Sequence, residues 1–160
     1  MIIDSTRFGP FEIEDDKLLT FPDGLIGLPG TRYALIAREE QSPFYWLHSA
    51  EDADVALPVT NPWLFFGDYE VRVPDDDATQ LRLDTADQAE ILCIVRATSD
   101  LADFSVNLAA PVVIHRGGRT GRQIINDVRG YSVRHPLFSE VELDEVQTAA
   151  SSMTVEVAAT

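Results

Sequence analysis

Ile91-Leu92-Cys93-Ile94-Val95 is a run of five apolar residues closed by Glu90 on one side and Arg96 on the other. So short a solid run suits a strand covered on both faces, at the centre of a sheet or barrel. Val112-Val113-Ile114 repeats the pattern. Around these runs apolar residues alternate with polar ones. Tyr69, Val71 and Val73 alternate with Glu70 and Arg72, and Leu81 and Leu83 with Gln80 and Arg82, as expected of strands with one wet face. Further strands are expected at Phe11 to Ile13, Leu18 to Phe21, Tyr33 to Ala37, Tyr45 to His48, Val55 to Val59 and Gln123 to Ile125. Gly and Pro break the chain between them, which favours an all-β fold, an antiparallel barrel or sandwich. Helix is expected only as short turns. One lies near Asp84, with Asp84 as its cap and Asp87 three residues later, and another at Leu101 to Asp103.

A chain of 160 residues, 45% of them hydrophobic, can bury one core, so a single domain is expected. It covers residues 1–138. Residues 139–160 form an acidic tail that becomes rich in Ala, Ser and Thr, expected to be disordered, although Thr154-Val155-Glu156-Val157 alternates as a weak strand would. The start has no basic stretch followed by an apolar one, and no window is apolar enough to span a bilayer, so a cytoplasmic protein is expected. The single cysteine, Cys93, sits inside an apolar run and behaves as a small hydrophobe.

Charge is segregated. Twenty-seven Asp and Glu stand against twelve Lys and Arg, a net charge of -15. Eleven of the acids fall between Glu51 and Glu90 with only Arg72 and Arg82 among them, whereas five arginines face one acid between Val112 and His135. Such a charge repels nucleic acid and anionic membrane and attracts cationic surfaces. Solubility alone also produces acidic compositions.

Catalytic signatures are missing. There is no Gly-x-Ser-x-Gly elbow, no Cys-x-x-Cys, no His-Glu-x-x-His, and Lys17 follows no phosphate-cradling loop. An enzyme is therefore not expected, nor a cofactor. His48, His115 and His135 lack ligand spacing and suit polar positions at strand ends. Pro74-Asp75-Asp76-Asp77 has neither the glycine nor the bidentate glutamate of a calcium loop. It suits a solvated turn, or an acidic recognition patch, and no metal is assigned to it. His115-Arg116-Gly117-Gly118-Arg119-Thr120-Gly121-Arg122 reads as a hairpin whose glycines permit positive backbone angles and whose arginines either keep the tip soluble or touch phosphate. Phe44-Tyr45-Trp46-Leu47 and Trp63-Leu64-Phe65-Phe66 suit the core, yet Asn61 to Tyr69 is too apolar for an ordinary loop and can line a groove for an apolar helix.

Five motifs taken together, Thr20 to Gly30, Ser42 to Phe44, Asn61 to Tyr69, Val106 to Ile114 and Tyr131 to Leu137, resemble the FliW family of bacterial flagellar assembly factors, in order from about Ile2 to Leu137. The resemblance implies a small antiparallel β-barrel-like protein without catalytic activity, a monomer when free. It implies two protein partners, the basic translational regulator CsrA and, alternatively, flagellin, with no direct contact to nucleic acid or membrane. Asp68, Glu70, Asp75, Asp76 and Asp77 are the candidates for the CsrA contact, and Trp63, Phe65 and Phe66 for flagellin. A different class, a barrel holding a small apolar ligand, remains an alternative, to be discriminated by whether inward side chains fill the interior.

Overall fold

The computed structural model describes residues 1–38 and 41–138. The tail over residues 139–160, with its expected disorder and its alternating patch, lies outside the described residues. Along the chain run β1 (Ile2–Ser5), β2 (Gly9–Glu12), β3 (Leu19–Thr20), β4 (Arg32–Ile36), β5 (Phe44–Ser49), β6 (Ala56–Thr60), α1 (Asp75–Gln80), β7 (Ala89–Arg96), β8 (Ser105–Val106), β9 (Val112–His115), β10 (Thr120–Gln123) and β11 (His135–Pro136). β1 and β2 form a separate hairpin. Seven strands close into a barrel in the order β7-β6-β5-β4-β3-β10-β9 and back to β7. All its pairings are antiparallel except the single parallel contact Thr20 with Thr120.

β7 holds this arrangement together. Its first half pairs with β9, Cys93 and Ile94 pair with β6, and Val95 and Arg96 pair with β8. The apolar run is continuous because both faces are covered. Leu92 faces the barrel interior with Leu19, Phe21, Tyr33, Leu47, Val59, Val112 and Ile114. Cys93 and Val95 face outward into a second cluster with Phe104, Val106, Leu108 and Leu137. Each such side chain fully withdrawn from water contributes about 1.5 to 3 kcal/mol.

The expected all-β, barrel-like fold is what forms, with one helix of six residues and short 3-10 turns among the described residues. Several local expectations need correction. Residues 69–73 are extended and do alternate, with Tyr69 buried and Glu70 and Arg72 exposed, but they join no sheet. The Tyr69 N–H donates to the Phe66 carbonyl, and the main-chain groups of Glu70 and the Arg72 N–H bond to side chains instead. Pro74 to Asp77 is no turn after a strand but the start of α1. Pro74 supplies a suitable backbone angle at the N-cap, φ -59°, and Asp75, Asp76 and Asp77 fall in the first turn, where negative charge meets the positive end of the helix dipole.

Leu81 to Leu83 is the end of that helix rather than a strand. The Leu83 N–H donates to the Ala78 carbonyl and the Arg82 N–H to the Thr79 carbonyl, the paired bonds of a Schellman cap, with Arg82 left-handed at φ 57°. The turn expected at Asp84 forms one residue later, as a 3-10 helix Ala86–Gln88 whose N-cap is Thr85 in a capping box with Gln88. The turn at Leu101–Asp103 forms as expected. In the hairpin between β9 and β10 the positive angle falls on Arg119, φ 56°, and not on Gly117 or Gly118. The expected strand at Gln123 to Ile125 is displaced toward the hairpin, since β10 ends at Gln123. β1, β8 and β11 carry no periodic signal in the sequence.

Candidate protein-binding surface

After Thr60 the chain leaves the barrel edge. Asn61 drives this departure, since its side-chain oxygen accepts from the Trp63 N–H at 3.0 Å and caps a 3-10 turn with Pro62 in its first position. Trp63 and Leu64 are left 41% and 62% exposed, a high value for large apolar groups. The Trp63 indole N–H donates to the Tyr69 carbonyl at 2.8 Å, which fixes the ring. Phe65 and Phe66 turn the other way. Phe65 packs with Phe44 and Phe138 at centroid distances of 5.9 and 5.7 Å, and Phe66 with His135 at 5.0 Å. The three aromatic candidates are therefore divided: Trp63 lines the surface, and Phe65 and Phe66 brace it from the second cluster.

The extended segment that follows is held by a buried polar hub. The Asn126 amide donates to the Glu70 carbonyl at 2.8 Å and its oxygen accepts from the Arg72 N–H at 3.2 Å, so one side chain stands in for a neighbouring strand. The Tyr69 hydroxyl donates to the Leu108 carbonyl at 2.7 Å. The Tyr131 hydroxyl accepts from the Glu70 N–H at 2.9 Å. Burial raises the Tyr69 phenol above its ordinary value and pushes the Cys93 thiol beside it up to about 12. Both stay neutral near pH 7, as suits groups that build the surface.

This hub sets the acidic candidates apart from one another. Asp68 and Glu70 are exposed on the extended segment, and Asp75 and Asp76 on the first turn of α1. Asp77 is turned inward, its side chain 18% exposed, and pairs with the Arg122 Nε at 2.8 Å; Arg122 also pairs with Asp23. Asp77 thereby ties α1 to β10. Of the eleven acids between Glu51 and Glu90, Asp77 alone forms an ion pair among the described residues. Glu51 accepts the N–H groups of Thr31 and Arg32, both at 2.8 Å, and these hold its carboxyl below the usual range.

Between the Trp63 turn and the turn at Ala86–Gln88 opens a cleft of about 840 Å³. One wall is Trp63 and Leu64, another is Val71, Val73, Ala78 and Leu83, and β7 forms the floor with Ala89 to Leu92. The hairpin arginines are spent on the chain itself. Arg116 donates to the Asp87 carbonyl at 3.3 Å, Arg119 to the Lys17 carbonyl, and Arg122 to the two aspartates. His48 is wholly buried rather than a polar tip. Its Nδ1 donates to the Ser49 carbonyl at 2.7 Å, so in the neutral ring Nε2 accepts from Ser5 Oγ at 2.8 Å. Asn126 and Tyr131 carry no periodic or spacing signal that would have marked them beforehand.

Comparison with known proteins agrees along nearly the whole chain. Residues 2–137 match the family model described as FliW protein. The flagellar assembly factor FliW of Caldicellulosiruptor bescii is 34% identical over 144 residues, 90% of this chain and 95% of the relative. That of Natranaerobius thermophilus is 37% identical over 142 residues, 88% of this chain and 94% of the relative. A crystal structure of the flagellar assembly factor FliW superposes with a TM-score of 0.79 at 26% identity, covering 88% of this chain and 99% of that one. Among the described residues no helix is long and apolar enough to cross a membrane.

Proposed function

Because the chain belongs to the FliW family of flagellar assembly factors, we propose that it is a non-enzymatic, cytoplasmic binding protein that antagonises CsrA and alternatively binds flagellin. The observation that carries this reading is the exposure of Asp68, Glu70, Asp75 and Asp76, none in an ion pair among the described residues, on the two segments that also supply the cleft wall Val71, Val73 and Ala78. CsrA binds RNA and must present basic surface. A protein of net charge -15 docked beside that surface cancels the field that attracts a transcript, without covering the RNA site. Flagellin synthesis resumes when the regulator is held in this way, and unassembled flagellin releases it by occupying the factor. For flagellin, an amphipathic helix finds its apolar contact at Trp63, with Phe65 and Phe66 supporting the wall.

Titration calorimetry of purified CsrA against the chain and its D75N/D76N variant, at low and high salt, tests the acidic contact. The variant should bind about two- to fivefold more weakly per charge removed, and the deficit should shrink as salt rises. Equal affinities at both salt concentrations would remove α1 from the contact. Asp77 is excluded from this variant because its removal breaks an internal ion pair.

A further inference from the structure

β7 has two edges, and one of them is only half used. On the first edge lie β9 and β8. On the second, β6 pairs with Cys93 and Ile94 and then departs at Asn61, so no described residue pairs with Ala89 to Leu92 on that side. The hydrogen-bond direction follows from what is paired. The Arg116 N–H donates to the Gln88 carbonyl and the Asn107 N–H to the Ile94 carbonyl, so the backbone of even-numbered residues in β7 points toward β9 and β8. The backbone of Ala89 and Ile91 therefore points to the open edge. The Ala89 N–H is used by the Ala86 carbonyl. The Ile91 N–H, the Ile91 carbonyl and the Ala89 carbonyl remain. Continued past Thr60, β6 would bring Pro62 opposite Ile91, and proline has no N–H to give.

This edge is the floor of the 840 Å³ cleft. A strand laid along it would set alternate side chains against two prepared surfaces, the Val71, Val73 and Leu83 wall on one side and Tyr45 with Leu92 on the other. The charge around it selects the occupant. Glu90 and Asp84 line the cleft, Asp87 lies beside it, and the one lining cation, Arg116, donates to the Asp87 carbonyl. A second copy of the chain brings another -15, and residues 139–160 carry five acids and no base. Both are repelled.

We propose that the open edge of β7 is a docking site for an extended, basic segment of another protein, which adds there as a further strand. Main-chain bonds to Ile91 and Ala89 provide the anchor, the cleft walls take apolar side chains, and Glu90 and Asp84 attract the lysines or arginines between them.

The test uses the full chain and a short synthetic peptide alternating valine and lysine, blocked at both ends. Binding is followed by fluorescence anisotropy, and exchange of the Ile91 amide hydrogen by nuclear magnetic resonance. Supporting results are saturable binding, slowing of Ile91 exchange on saturation, and binding at least about tenfold weaker for the same peptide N-methylated throughout. Failure to bind, equal binding of the methylated peptide, or unchanged Ile91 exchange overturns the proposal. Ile91 exchange that is already slow without peptide also overturns it. If that protection is independent of dilution the occupant is the chain's own tail; if dilution abolishes it, the occupant is a second copy.

Discussion

Asn126→Asp is a nearly isosteric change that tests whether one amide holds the Tyr69 to Val73 segment in place. The residue is 6% exposed, and its Nδ2 donates to the Glu70 carbonyl at 2.8 Å and, more loosely, to the Tyr69 hydroxyl at 3.4 Å. An ionised carboxylate there loses the donor, faces the Glu70 carbonyl oxygen, and is withdrawn from water. Such a buried, half-satisfied charge costs about 3 kcal/mol. For a chain of this length that is a fall in melting temperature of roughly 6 to 12 °C at pH 7. Acid should repair the damage. Protonated, the introduced carboxyl can donate to Glu70 again, so its folded pKa lies above the unfolded value of about 3.9. The penalty is complete above the folded value and vanishes below the unfolded one. Differential scanning calorimetry of wild type and variant between pH 7 and pH 4 measures the gap. A gap under about 1 °C at pH 7, or one that widens as pH falls, would refute the role given to Asn126.

Gly121→Ala should be among the costliest small changes, because a Cβ there would lie 2.4 Å from Cε2 of the buried Phe21; a loss of about 1 to 3 kcal/mol is expected, partly recovered in the double variant with Phe21→Leu, and strictly additive losses would count against this contact. Arg82→Gly should stabilise by up to about 1 kcal/mol in urea denaturation by relieving the left-handed cap of α1, and a destabilised variant would contradict that account. Glu51→Gln should matter only on one side of the pH range. Its folded pKa is lowered, so its contribution is present above the ordinary value of 4.5 and disappears as pH falls through the folded value; melting curves of the two proteins should converge in acid and separate near neutrality. Cys93 should resist thiol reagents at pH 8 in the native protein and react on unfolding, and fast native labelling would show that the second cluster opens.

The alternation at Tyr69 to Val73 was a correct statement about which side chains are wet and an incorrect one about a strand. Period two reports the two faces of an extended chain, not the partner that accepts its N–H and C=O groups, and here that partner is the side chain of Asn126, 56 residues from Glu70. The three aspartates after Pro74 were equally ambiguous. They look like a solvated turn by composition, and become a helix start because the dipole favours acids there while Leu81 buries itself against Val113 and Ile124. At Asp77 the charge was plain and its availability was not, since Arg122 lies 45 positions away.

From residues alone came the β class, the concentration of acids between Glu51 and Glu90, and motifs specific enough to indicate the family. These are properties of composition and short-range order, which burial and charge impose wherever the strands are finally placed. Tertiary structure alone decided that Trp63 lines a cleft while Phe65 and Phe66 brace it, and that among the described residues Asp77 is paired, Asp75 and Asp76 form no ion pair, and β7 keeps an open edge. Each depends on which distant segments meet, and a departure such as that of β6 at Asn61 leaves main-chain groups without partners in a place that no local pattern records.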